Sequence, residues 1–391
     1  MYEWGKEEEQ AIVETLRSGR LFRYQGPGVE TQSSRFEKSL AEKMEHNHAI
    51  AVTSGTDALV AALSACGIGP GDEVIIPAFT FFATAAAVTR VQAIPVIANI
   101  DEFLSLDVEE LDRLCGPRTK AVIPVHMDGL ACDMGRIMDF ARKKNLYVIE
   151  DVAQSIGGSF KGKPLGSLGD FGCYSFNVDK IISCGEGGAV CTSSEELYLK
   201  SLCAHDACAP FGWSLKEKFS NGAPFIGESM RISELSAAML GEQLKRLDKI
   251  IEKLRTRKKI VQKILQEHGL NYRQAHCPEG DCGTSLHLVL DDPMQVLFCA
   301  KKLISVGIKA IPIQARPAHA VWQWSHMLQE RRFRHPGLDP FRHSEEIYDY
   351  SKANFLKSYD ILLSTLKLPI EYNLSEDETR DWALKVVENI K

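Results

Sequence analysis

The stretch from Glu150 to Gly188, EDVAQSIGGSFKGKPLGSLGDFGCYSFNVDKIISCGEGG, gathers unlike chemical groups into about forty residues. Asp151 follows an apolar run, Tyr174-Ser175-Phe176 sets a hydroxyl between two rings, and Lys180 stands before the glycine turn Gly185-Glu186-Gly187-Gly188. A lysine that attacks an aldehyde must be neutral, so an apolar setting that disfavours its charged form suits it. Phe176, Ile181 and Ile182 supply that setting, with Asp179 the other charge close by. A Schiff-base lysine also needs an anion site beside it and an acid facing the far end of a heteroaromatic ring. Ser175 can serve the first need and Asp151 the second. The chemistry that suits this set is that of pyridoxal 5'-phosphate (PLP) held on Lys180, with Asp151 keeping the pyridine nitrogen protonated. Each residue alone has a plainer role: a solvated lysine, a packed serine, an aspartate capping a turn. Glu150 alternates to the opposite face of the strand from Asp151.

Two further stretches stand where such a ligand would lie. Thr53-Ser54-Gly55-Thr56-Asp57-Ala58 follows an apolar run and opens a helical pattern, so its backbone N–H groups and hydroxyls can hold a phosphate. An ordinary cap, with Ser54 or Thr56 as N-cap, is the alternative. Phe79-Thr80-Phe81-Phe82 comes just after Val74–Ile76, where an α/β sheet presents its ligands, and one of its rings can stack on a planar cofactor. Gly67-Ile68-Gly69-Pro70-Gly71 is not a dinucleotide loop, since it follows a helix and precedes a strand.

The elements that must position these residues read as α/β. Apolar runs at Ala49–Val52, Val74–Ile76, Pro95–Ile97, Ala121–Val125 and Leu146–Ile149 alternate with helical patterns at Asp57–Cys66, Ala83–Val91, Val108–Leu114 and Met134–Lys144. That alternation predicts a mostly parallel central sheet flanked by helices. Phe171–Phe176 and Ala189–Thr192 add short strands around the Lys180 loop, and Ser233–Gly269 reads as one long helix. Beyond it, Leu286–Leu290 and Gly307–Ile313 read as strands and Pro293–Val306 as a helix, which suits a smaller α+β domain. The expected division is 1–246 for a large PLP-binding domain and 247–391 for a small C-terminal one. Gln329–Tyr350, charged and carrying Pro336 and Pro340, reads as a loop or a mobile flap.

The chain has 391 residues, 45% of them hydrophobic and 25% charged, with a net charge of −6. Such a balance gives no reason to expect nucleic acid or an acidic membrane as partner. Eleven cysteines without a CxxC pair suggest neither a disulfide framework nor a metal site, and the nearest pairs, Cys203 with Cys208 and Cys277 with Cys282, fit no common ligand spacing. The acidic N-terminus MYEWGKEEEQAI has no signal-peptide core, and no run of eighteen apolar residues occurs, so a cytoplasmic protein is expected.

Taken in order, AVTSGTDAL, GIGPGDEVIIPAFTF, PRTKAVIPVHMDG, EDVAQSIGG, GDFGCYSF, Lys180 with GEGG, and MRISELSAAMLGEQLKRLD resemble the DegT/DnrJ/EryC1/StrS sugar aminotransferases, a branch of the fold-type I PLP enzymes. The resemblance spans nearly the whole chain and implies a homodimer with active sites at the subunit interface. It implies that Lys180 is the Schiff-base lysine and proton shuttle, that Asp151 pairs with the pyridine nitrogen, and that Gln154 lies over the ring. Phe81 matches the stacking aromatic, while Gly55, Thr56 and Ser175 match phosphate contacts. Ser229 stands where the family has an asparagine that reaches the partner subunit's phosphate. Arg23 and Arg231 are candidate contacts for substrate carboxylates. Lysine rather than histidine at 180 favours transamination over the PLP sugar dehydratases. Leu21-Phe22-Arg23-Tyr24, GCYSF…K…CGEGGAV and the isoleucine of MRISE are most similar to the subgroup that makes 8-amino-3,8-dideoxy-manno-octulosonate from 8-oxo-Kdo and L-glutamate, for cell-surface polysaccharides such as lipopolysaccharide. Nucleotide-linked keto sugars and cyclitol ketones stay open as acceptors. A catalytically silent PLP-binding regulator is the reading from another class.

Overall fold

The computed structural model describes residues 3–26, 29–207 and 224–390. Two helices, α1 (Lys6–Ser18) and α2 (Gln32–Lys43), precede the first strand, β1 (His48–Val52). Then α3 (Gly55–Ala65), β2 (Glu73–Pro77), α4 (Ala83–Arg90), β3 (Ile94–Ala98), the single turn α5 (Leu111–Leu114), β4 (Thr119–Val122), α6 (Met134–Lys144) and β5 (Tyr147–Asp151) follow in alternation. A small hairpin, β6 (Ser159–Phe160) with β7 (Lys163–Pro164), leads to β8 (Phe171–Ser175), β9 (Gly188–Thr192) and α7 (Glu195–His205).

Seven of these strands form one sheet in the order β1-β9-β8-β5-β4-β2-β3. Every pairing is parallel except those of β9 with β1 and β8, so the mostly parallel sheet of a fold-type I enzyme is present. Its two faces follow strand parity. Ile50, Val52, Val74, Ile76, Ala121, Ile123 and Ile149 pack with α3 in one apolar core, while Ala49, Ala51, Ile75, Val122 and Val148 pack with α2 and α6 in another. Successive side chains on a strand point to opposite faces, so a run buried on both reads as continuously apolar. Helix α3 is apolar nearly all round because it is buried nearly all round, from Ala58 to Leu63.

The helix α8 (Glu234–Glu267), capped by the Ser233 hydroxyl, runs unbroken through Leu247. Its first half packs on α1 and α2, and its second half on the C-terminal elements. These are β10 (Ser285–Val289), α9 (Pro293–Ser305), β11 (Ile311–Pro312), α10 (Val321–Gln329), α11 (Leu356–Leu363), β12 (Thr365–Pro369) and α12 (Glu376–Ile390), with the sheet order β10-β12-β11.

Two expectations are corrected, and one pair of alternatives resolves to its first member. The run Gly307–Ile313 yields only the two-residue β11, paired with Leu366 and Lys367. Val108–Leu114 is a 3-10 turn followed by α5 rather than one helix. Gln329–Tyr350 is not a flap but a loop tied to the large sheet. The Tyr348 hydroxyl donates to Glu73 at 2.6 Å, that of Tyr350 to the Pro95 carbonyl at 2.8 Å, and Phe341 is buried. The ten described cysteines are free thiols; Cys208 lies outside the described residues.

Candidate active site

The candidate residues collect where the strands β1, β2, β5 and β8 end. Asp151 closes β5 and is buried. One carboxylate oxygen accepts the Ala153 N–H at 3.1 Å and the other the Thr84 hydroxyl, from α4, at 3.0 Å. Burial pushes its carboxyl above the usual range, only partly offset by those donors and by Lys180. A cation opposite would restore the carboxylate.

Lys180 lies half-buried in the loop between β8 and β9, its backbone N–H on the Asn177 carbonyl at 3.0 Å. Burial pulls its amine below the ordinary lysine value; Asp151 opposes that fall and Arg316 adds to it. The loop turns at Gly185, whose φ of 89° is a left-handed conformation that suits glycine.

Ser175 ends β8 against the first turn of α3. A Cβ on Gly55 would come within 2.7 Å of the Ser175 Cβ, so only a glycine lets the helix start approach so closely. The Ser54 hydroxyl accepts from Asp57 N and caps α3, which leaves the Gly55 and Thr56 N–H groups without intrahelical acceptors. Phe81 is 48% exposed, its ring 5.2 Å from that of His319, whereas Phe79 is fully buried. Gln154 accepts the Asp128 N–H at 3.3 Å. Glu150, on the opposite face, is a buried anchor for His126 and the Gly166, Leu168 and Gly169 N–H groups.

The arginines and Ser229 are placed differently. Arg23 does not offer a fork to a substrate: its two end nitrogens lie on the two Glu37 oxygens at 2.6 and 2.9 Å, and Glu37 also takes the Ala51 N–H. That pair ties α2 to β1. Arg231 bonds Asp206 at 2.6 Å and lies over the Phe22 ring, while the backbone of Ser229, an exposed residue, runs antiparallel opposite Asp206.

A family model described as the DegT/DnrJ/EryC1/StrS aminotransferase family matches residues 3–386. The chain belongs to that family. The spore coat polysaccharide biosynthesis protein SpsC of Bacillus subtilis is 34% identical over 96% of this chain and 92% of its own length. GDP-perosamine synthase of Caulobacter vibrioides is 41% identical over 58% of this chain, a match that spans 59% of that enzyme. Among solved structures, the aminotransferase from Psychrobacter cryohalolentis superposes with a TM-score of 0.81 at 25% identity, covering 99% of this chain and 97% of that one.

DegT/DnrJ/EryC1/StrS enzymes are PLP-dependent sugar aminotransferases, and the residues present fit their cofactor. The cradle at Gly55, Thr56 and Ser175 offers N–H and hydroxyl donors to a phosphate, a buried acid at Asp151 waits for a cation, and a half-buried lysine has a lowered pKa. Sequence reasoning missed Thr84, Asp128, Arg316 and His319. Thr84 and Asp128 find partners far off in the chain, at Asp151 and Arg316, and no local pattern marks any of the four.

Proposed function

We propose that the protein is an aminotransferase that moves the amino group of L-glutamate to a keto or aldehyde sugar. The observation that carries this reading is the pairing of half-buried Lys180 with buried Asp151 at the carboxyl ends of one parallel sheet. Gly55, Thr56 and Ser175 would hold the PLP phosphate, Phe81 and Gln154 the ring. When bound, PLP supplies an electron sink for the carbon that loses or gains the amine. Asp151, held by Thr84 and Ala153, would keep a proton on the ring nitrogen. The Lys180 amine, whose charged form burial disfavours, would take a proton from the substrate carbon and return one.

For the acceptor, the Leu21–Tyr24 stretch and the GCYSF and GEGGAV runs support 8-oxo-Kdo, giving 8-amino-3,8-dideoxy-manno-octulosonate. The likeness to GDP-perosamine synthase favours the second reading, a nucleotide-linked keto sugar. A homodimer sharing its sites, with Ser229 reaching the partner's phosphate, is supported by exposed Trp4, Leu21, Phe22 and Ile226. We infer a domain division at Leu247, supported by the whole three-stranded sheet falling after it. A cytoplasmic place is our reading; no helix among the described residues is long and apolar enough to cross a membrane.

The test is the visible spectrum of the purified protein with L-glutamate added, beside Lys180→Ala. The band of lysine-held PLP should fade in the wild type and return with the right keto sugar. A band that forms but ignores both glutamate and glutamine would point to the silent regulator or a dehydratase.

A further inference from the structure

Away from the cofactor residues, the second half of α8 turns a charged face toward the chain that follows it. Arg255, Lys258, Lys259 and Gln262 fall at i, i+3, i+4 and i+7, so they share that face. They line one side of a recess of about 410 Å³, and Arg273, Glu279 and Asp281 line the other. That volume lies within the range of small-molecule sites. None of the residues assigned to PLP borders it.

Cations elsewhere in the core meet a carboxylate directly. Asp128, buried in a left-handed turn after β4 with φ of 54°, takes Arg316 at 2.8 and 2.9 Å, Lys367 at 2.5 Å and His287 at 3.0 Å. The recess is different. Buried Lys258 pairs with Asp281, whose other oxygen accepts the Gly283 N–H at 2.7 Å. Glu279 accepts from the Cys277 thiol at 3.1 Å rather than from a cation. Arg255 has main-chain partners alone: the Asp281 carbonyl at 2.6 Å, that of Gly280 at 3.2 Å and that of Gly157 at 3.4 Å. Its remaining end nitrogen meets no acceptor among the described residues. Arg273 donates to the Thr365 and Ser364 hydroxyls at 2.7 and 2.9 Å, and to the Glu102 and Ile361 carbonyls at 3.1 and 2.8 Å. Burial pulls its guanidinium below the usual arginine value, a fall that Glu102 and Asp101 only partly oppose. Lys259 is exposed and has no ion pair among the described residues.

Four cations thus share one recess with two carboxylates. A poorly solvated cation that has only dipoles for partners gains from an anion brought beside it. A phosphate ester carries roughly −1.5 to −2 at neutral pH, which matches the excess, and its oxygens accept from several directions at once. A carboxylate would leave one positive charge over.

We propose that this recess is a second anion site, separate from the PLP cradle, that takes a phosphate-bearing small molecule on Arg255 and Lys259. It stands whether or not the protein transaminates.

Calorimetric titration of the PLP-loaded protein, whose cofactor site is filled, with pyrophosphate, glucose 1-phosphate and uncharged glucose tests this. Wild type should bind at least one of the two phosphates and not glucose. Lys259→Glu, a change at a side chain that bonds nothing in the fold, should weaken that binding about tenfold or more. Arg255→Gln should do the same, and Lys259→Glu decides alone if the glutamine variant does not fold. Lys301→Glu, an equal change of charge on α9 outside the recess, should bind as wild type does. Tighter binding of glucose 1-phosphate identifies a phosphorylated sugar as the occupant, and tighter binding of pyrophosphate a diphosphate. Wild type that binds neither phosphate overturns the proposal. So does a Lys259→Glu protein that binds both as tightly as wild type, which would put the anion elsewhere. Equal weakening in Lys301→Glu also overturns it, since net charge alone would then explain the effect.

Discussion

Asp151 and Lys180 influence one another across the cleft, so a change in one is readable in the other. Asp151→Asn removes the charge that holds the Lys180 amine up, and the lysine should then lose its proton at a lower pH than in the wild type. The check is the pH dependence of PLP attachment to the cofactor-free protein, followed by its visible band; an unshifted or upward-shifted profile would contradict the pairing. The same variant should cost about a hundredfold or more in turnover, since an electrostatic partner of the reacting system is lost. Thr84→Val leaves the Asp151 carboxylate one donor short and should give a smaller loss of the same kind. Lys180, Asp151 and Ser175 could be read in the sequence because they fall within one short stretch. Thr84 could not: its partner lies 67 positions away, and a threonine in an alanine-rich helix carries no mark of its own. Asp128 and Arg316, 188 positions apart, were illegible for the same reason. Arg23 was misread because a basic fork near an aromatic pair looks available until Glu37 is seen to fill it.

At the scale of elements, the start of α3 has little room. Gly188→Ala would drive a methyl to within 2.3 Å of the Ser54 carbonyl oxygen, with backbone on both sides unable to retreat. A loss of about 1–3 kcal/mol is expected from such overpacking, measurable as a lower urea midpoint with an unchanged slope. Gly55→Ala should instead weaken PLP, because its methyl pushes Ser175 away from the helix start. A fluorescence titration of cofactor-free protein would show it, and unchanged affinity would mean that the phosphate lies elsewhere. Strand existence was legible because β1, β2, β4 and β5 are apolar on both faces, which few other local arrangements require. The run ending at Ile313 looked similar, yet most of it finds no partner strand, and pairing is a long-range property that composition does not encode.

For the molecule as a whole, buried histidines set the response to acid. His205 is fully buried, and its Nε2 has no hydrogen-bond partner among the described residues. Burial, with Arg23 nearby, pushes it down to about 3. The folded protein therefore keeps it neutral while the unfolded chain protonates it near pH 6.5. Its contribution to stability is complete above that value and declines as the pH falls toward 3. Asp128 acts in the same direction at lower pH: its depressed folded pKa gives stability above the unfolded carboxylate value, lost as the pH falls further. Urea melts between pH 7 and pH 4 should show stability falling, with a shallower slope in His205→Gln; an identical slope would mean that His205 takes up no extra proton on unfolding.

The turn at Asp128 also has a consequence for the order in which the protein is made. All seven strands of the large sheet are complete once Thr192 has been synthesised, but the partners of Asp128 arrive only with His287, Arg316 and finally Lys367. At typical elongation rates, roughly ten to thirty-five seconds pass between Thr192 and Lys367. Through that interval a growing chain can hold a folded sheet with a bare carboxylate at its rim. The wall around Asp128 is therefore completed late, with only α12 to follow, and a chain cut short before Lys367 would carry most of the candidate catalytic groups beside an unfinished wall.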